Sequence, residues 1–346
     1  MIMNKNYKKC LPVLCLLFYC FSICLSTVHA QINTKPYVIV GYVTSWSKEI
    51  PDPKYLTHIN YAFGHVAKDF KSVTISNPDR LHMIARLKKK NPKLKVLLSI
   101  GGWGSGNFSE MAATDSNRLA FALDCKRIVD DYNLDGIDID WEFPTSSMAH
   151  ISSSPEDKDN YTFMMQTIRK AIGTKKLLTL ASIAGAKFID FAKVEPYIDF
   201  VNIMAYDMAA APQHHSGLYR SSHSSYITAD ESVKAHLEVG VSAKKLVLGI
   251  PFYGHGKDRI PNFIDYNKIV GLKGYQRQWD DTAKAPYLTN AQGDFVCTYE
   301  DVQSIGIKCS YIKQQHLLGA MYWDYAGDTP DGILHQAIFD GLYIEK

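Results

Sequence analysis

The chain has no Pro/Ser-rich linker, no low-complexity tract and no second long apolar run, so nothing in it marks a domain boundary. It also has little cysteine. Of its 7 cysteines, only Cys125, Cys297 and Cys309 lie beyond the first 30 residues. An odd trio excludes a dense disulfide framework. A basic excess is missing too. With Lys5, Lys8 and Lys9 set aside, the 38 Lys and Arg fall to 35, against 35 Asp and Glu. Polyanion binders carry a basic surplus, so no nucleic-acid partner is expected.

Residues 1–30 read as a signal peptide. Lys5, Lys8 and Lys9 form a basic start, Leu11 to Leu25 is an apolar run of h-region length, and Val28-His29-Ala30 places small residues before Gln31. A membrane span needs roughly 20 apolar residues, and this run is shorter. The expectation is a secreted or periplasmic monomer with residues 31–346 as a single domain.

Eight short apolar runs punctuate that domain: Tyr37-Val43, Leu56-Phe63, Lys95-Ile100, Gly136-Phe143, Leu177-Ile183, Phe200-Ala205, Leu246-Phe252 and Leu318-Trp323. Near-continuous apolar runs suit strands covered on both faces. Helical stripes separate them: Phe121, Cys125, Ile128, Val129 and Tyr132; then Tyr161, Met164, Met165, Ile168 and Ile172; then Val302, Ile305, Cys309 and Ile312. Cys125 and Cys309 thereby read as small core residues, and a Cys297–Cys309 bridge is the one pairing to consider. Strand–helix alternation of this length predicts an α/β fold, a (β/α)8 TIM barrel. An open doubly wound sheet would show a Gly-rich turn after its first strand, and Thr44-Ser45-Trp46 stands there instead. Gly101-Gly102-Trp103-Gly104-Ser105-Gly106, after the third strand, reads as a flexible loop. A small insertion is expected between strands seven and eight, at about 255–298, with a hairpin over Tyr287 to Thr298 turning at Asn290-Ala291-Gln292-Gly293.

The strongest chemical signal is Asp135-Gly136-Ile137-Asp138-Ile139-Asp140-Trp141-Glu142. On a strand, Asp138, Asp140 and Glu142 share one face, while Ile137, Ile139 and Trp141 share the other. Three carboxyls lining an interior cannot all ionise cheaply, so at least one keeps its proton and becomes a general acid. Asp135 has the opposite parity. Met204-Ala205-Tyr206-Asp207 ends strand six, where barrel active sites form, with Asn202, Met204 and Tyr206 on one face. Trp46, Trp103 and Trp323 gather at the same end, and aromatic faces stack on sugar rings. His214-His215 face apart with no third ligand at a useful spacing, so neither a metal nor any other cofactor is expected.

On these motifs the chain resembles glycoside hydrolase family 18, the chitinases and their relatives, over about residues 36 to 329. The acidic motif matches the family's Asp-x-x-Asp-x-Asp-x-Glu. Ser99-Ile100-Gly101-Gly102-Trp103, Met204-Ala205-Tyr206-Asp207 and Ala320-Met321-Tyr322-Trp323 match three further strand-end motifs. The resemblance implies that Glu142 protonates the glycosidic oxygen, that Asp140 holds the acetamido N–H, that Asp138 shares a proton with Asp140, and that Tyr206 bonds the acetamido group. It implies substrate contacts at Asp207, Trp323 and Trp103, with Met204 and Phe63 joining them, and with Tyr42 and Ser99 counted among the substrate-binding set while supporting the acids from below. His255 stands where relatives often carry Arg, and the insertion looks shorter than in many of them, which implies a shallower groove.

The implied activity is retaining, substrate-assisted hydrolysis of β-1,4-linked N-acetylglucosamine polymers, chitin or its oligosaccharides. An endo-β-N-acetylglucosaminidase acting on N-glycans or peptidoglycan shares these residues. A non-catalytic chitin-binding lectin is the alternative of another class, though such relatives commonly lose the acid that Glu142 supplies.

Overall fold

The computed structural model describes residues 37–344. The expected signal peptide lies outside these residues. Eight strands build the core: β1 (Val38–Thr44), β2 (His58–Val66), β3 (Lys95–Gly101), β4 (Gly136–Asp140), β5 (Leu177–Ile183), β6 (Phe200–Met204), β7 (Leu246–Pro251) and β8 (Gly319–Trp323). Neighbours pair in parallel around the whole circuit, and β1 pairs with both β8 and β2, so the sheet closes into the expected (β/α)8 barrel.

Burial on both faces explains the apolar runs. Strand β7 is buried at every residue. Inward side chains such as Val40, Phe200, Val247 and Met321 fill the barrel, while outward ones meet the helices. The helix Asp115–Asp131 begins where the Thr114 side chain accepts from the Asn117 N–H, and it buries Phe121, Cys125, Ile128 and Val129. The helix Val302–Gln314 starts on a capping box between Asp301 and Ser304 and buries Ile305, Cys309 and Ile312. Val302, placed on that stripe by its spacing, is the helix's first residue and is exposed. Cys125, Cys297 and Cys309 are buried free thiols, and Cys297 and Cys309 do not pair.

The insertion is more than a hairpin. Its strands form a five-stranded antiparallel sheet in the order Ile264–Asp265, Tyr253–Gly256, Phe295–Thr298, Ala285–Thr289, Gln276–Asp280. The expected hairpin is the pair Ala285–Thr289 and Phe295–Thr298, turned where Asn290 Oδ1 accepts from the Gln292 and Asp294 N–H groups. The remaining strands carried no legible period. One has two residues, and Gln276–Asp280 faces solvent or half-buried surroundings throughout. Because Tyr253–Gly256 follows directly on β7, this sheet stands on the barrel's C-terminal rim. Among the described residues, no helix is long and apolar enough to cross a membrane.

Candidate active site

The acids of β4 face the barrel interior in the order the strand period dictates. Trp141 points the other way, stacked on Phe108 with ring centres 5.2 Å apart. Asp138 lies deepest and is fully buried. Its Oδ2 accepts from the Tyr42 hydroxyl and the Ser99 hydroxyl, each at 2.8 Å. Its Oδ1 accepts from Thr179 Oγ1 at 2.5 Å and Asn202 Nδ2 at 3.2 Å. Burial pushes the Asp138 carboxyl up, and these four donors pull it back. Asp140 has no such support: its Oδ1 lacks a partner, and burial together with the Glu142 and Asp138 charges lifts it well above the usual range. A proton shared by this pair therefore rests on Asp140. Burial, then the negative charge of Asp207, pushes Glu142 up to about 8. It keeps its proton at neutral pH, as a general acid must.

Glu142 stands where two lobes of a groove meet. One lobe, of about 300 Å³, is lined by Tyr42, Trp46, Phe63, Asp140, Ala181, Tyr253 and Trp323. The other, of about 630 Å³, is lined by Phe143, Met148, Ile183, Ala184, Tyr226, His255 and Asn262. Glu142, Trp103, Met204, Tyr206, Asp207 and Phe263 border both. In the smaller lobe Trp323 stacks on Phe63 at 5.6 Å and lies 5.5 Å from the Tyr42 ring. All the residues expected to touch substrate are thus brought together, except Ser99. That side chain is fully buried behind Asp138 and lines neither lobe. Asp138 is likewise beneath the groove. Asp135 lies outside it, with Oδ2 3.0 Å from Lys88 Nζ and accepting from the Val96 N–H.

Thr179, Tyr253 and Phe263 were not singled out in the sequence. The inward parity of β5 is the one signal for Thr179. Phe263 stacks on Tyr253 at 4.4 Å and contributes a wall of the groove from the insertion. The Gly-rich segment is not a loose loop either. Gly102 sits at φ +92°, where a Cβ would come within 2.6 Å of the Phe63 ring. Its N–H donates to the Asp140 carbonyl at 2.9 Å, and Ser105 Oγ lies 2.9 Å from His65 Nδ1. The glycines serve a close approach that presents Trp103, 63% exposed, to the groove.

Asp207 Oδ1 accepts from the Tyr253 hydroxyl at 2.6 Å and lies 2.7 Å from His255 Nε2. Burial alone would raise this carboxyl, but the His255 and Tyr253 contacts hold it well below the usual carboxylate range, while His215 Nδ1 stands 3.9 Å away, beyond hydrogen-bond reach. His255 Nδ1 faces the Asn262 carbonyl at 2.6 Å. Burial lowers the His215 pKa to about 4, so that ring is neutral. Sequence spacing offered His214-His215 no third ligand; the fold supplies two, since Asp207, His215 and His255 present ligand atoms within 4.8 Å of one another. His214 turns away to Asp280.

Residues 38–328 match the family model described as Glycosyl hydrolases family 18. Chitinase A1 of Niallia circulans is 32% identical over 84% of this chain, and the match spans 56% of that protein's length. Chitinase B of Serratia marcescens is 28% identical over 82% of this chain and 76% of its own. A solved glycoside hydrolase family 18 N-acetylglucosaminidase from Paenibacillus barengoltzii is 36% identical with a TM-score of 0.80, covering 88% of this chain and 100% of that one.

Proposed function

The chain belongs to glycosyl hydrolase family 18, and from that premise we propose that it hydrolyses β-1,4-linked N-acetylglucosamine polymers, chitin or its oligomers, with retention of configuration. One observation carries this reading: Glu142, pushed up to about 8, stands at the junction of two aromatic-walled lobes. A glycosidic bond laid across that junction has one sugar in each lobe and an acid beside its oxygen.

A retaining enzyme ordinarily needs a second carboxylate about 5–5.5 Å away, across the sugar. Asp140 ends β4 two residues before Glu142 and lines the same lobe, so it cannot reach the opposite side of the ring. Asp207 is held well below the usual carboxylate range and is a weak base for activating water. The substrate's 2-acetamido oxygen is the remaining nucleophile. It attacks the anomeric carbon as that carbon's bond to the leaving oxygen breaks, and Glu142 gives its proton to that oxygen. Water then opens the oxazolinium ion, returning a proton to Glu142. Asp140 and Tyr206 orient the acetamido group. Proton NMR of fresh hydrolysate should show the β-anomer first, and partly deacetylated chitin should not be cut after a free-amine sugar. An α-anomeric first product rules this mechanism out.

A second reading, release of single N-acetylglucosamine units, draws support from the modest lobe on the Trp323 side and from the likeness to the Paenibacillus enzyme. Monomer as the first product from chitohexaose favours it; dimers and trimers favour internal cleavage. Glycoprotein and peptidoglycan assayed in parallel address the other polymers, and absence of turnover on all of them returns the lectin alternative. The leader-like residues 1–30 support export with cleavage before Gln31, which N-terminal sequencing tests; size-exclusion chromatography tests the expected monomer.

A further inference from the structure

We propose that Asp207, His215 and His255 form a site for a divalent transition-metal ion of the Zn²⁺ or Cu²⁺ type, and that the bound ion inhibits hydrolysis. The site itself stands apart from the proposed function; only the inhibition rests on it.

The donors are close enough. Asp207 Oδ1 lies 2.7 Å from His255 Nε2 and 3.9 Å from His215 Nδ1. An ion at about 2.0–2.2 Å from each donor needs donors roughly 3–4 Å apart; the second separation lies in that range, the first just below it, and all three donors lie within 4.8 Å of one another. The orientation fits as well. His255 turns Nδ1 to the Asn262 carbonyl at 2.6 Å, which fixes a proton there and aims Nε2 at Asp207. A ligating histidine is commonly held this way, its other ring nitrogen donating to a carbonyl.

His215 gives the independent sign. It is fully buried, and neither ring nitrogen has a hydrogen-bond partner. Buried imidazole nitrogens ordinarily find partners, so this ring has capacity that the folded chain leaves unused, and the capacity borders Asp207. The buried cation Lys308, whose charge disfavours positive charge at His215, is paired with Glu300 at 2.9 Å. Access comes from the groove, where the Asp207 side chain is 57% exposed and coordination positions stay open to water.

Two imidazoles and one carboxylate select zinc, copper or nickel over calcium and magnesium, which prefer all-oxygen shells. Binding replaces the proton that His255 Nε2 now shares with Asp207 and releases it to solvent. The Tyr253 hydroxyl can keep its bond to Asp207 from outside. The ion would occupy the carboxylate that borders both lobes. It would also put positive charge where the negative charge of Asp207 now helps Glu142 keep its proton.

Titrating chelator-treated enzyme with Zn²⁺ by calorimetry should show one equivalent bound, and Co²⁺ should give visible d–d absorption. His255→Arg keeps a cation beside Asp207 but removes a ligand, and Asp207→Asn removes another. Each should weaken Zn²⁺ binding at least about tenfold, with melting curves confirming the fold. Wild-type turnover of a chitobioside should fall as Zn²⁺ fills the site and return with chelator. No stoichiometric binding, or binding unchanged in both variants, overturns the site. Stoichiometric binding with turnover unaffected overturns the inhibition alone, and an enzyme with no turnover still leaves the calorimetry to decide the site.

Discussion

The Tyr42 hydroxyl donates to Asp138 Oδ2 at 2.8 Å, joining β1 to β4 across the barrel interior. Tyr42→Phe removes one of four donors that offset the burial of Asp138, and a hydrogen bond to a charged group contributes about 1.5–3 kcal/mol. With Asp138 less able to hold charge, the proton shifts toward it and away from Asp140. The variant should melt lower, and kcat should drop about tenfold or more. A lower melting temperature with kcat unchanged would show that the bond is structural only.

The alkaline limb of kcat should lie near pH 8. Glu142 acts in its protonated form, its pKa is raised to about 8 by burial and by Asp207, and activity is therefore present below that value and lost above it. Asp207→Asn removes the second of those causes, so the limb should move to lower pH. A limb that stays in place in Asp207→Asn, measured on a substrate that still saturates, would assign it to another group.

Trp323→Ala should raise KM and lower kcat together. The indole stacks on Phe63 and lines the smaller lobe, where it would position the reacting ring. A loss of about 10²-fold in kcat/KM is expected from a misplaced reacting group. Unchanged steady-state kinetics would remove Trp323 from the site.

Asp135 and Asp140 should respond in opposite ways. Asp135 accepts from the Val96 N–H at 2.9 Å and pairs with Lys88, outside the groove. Asp135→Asn should cost about 1–3 kcal/mol of stability and spare kcat. Asp140→Asn should fold and lose most of kcat. Denaturant melts and initial rates on the two proteins decide it, and a stable, inactive Asp135→Asn would contradict the strand parity.

The barrel was legible in the sequence because its strands are buried on both faces. Such strands must be apolar along their whole length, and eight such runs stand out against amphipathic helices. The acid ladder was legible for a related reason: the period of two along β4 and the residues flanking it decides that Asp138, Asp140 and Glu142 share a face and that Asp135 and Trp141 do not. Local rules of this kind need no partner strand. What only the tertiary structure decided is whatever depends on distance across the barrel or over its rim. Thr179 and Asn202 reach Asp138 because β5 and β6 curve round to it, and neither residue type signals a carboxylate partner by itself. That Ser99, expected to support the acids from below, does so from a depth that keeps it off the substrate surface is a matter no spacing reveals. The same holds for the insertion, whose short solvent-facing strands have no period to read, and for Asp207, His215 and His255. These three are separated along the chain and become neighbours only where β6, the loop after it and the strand following β7 meet at the C-terminal rim.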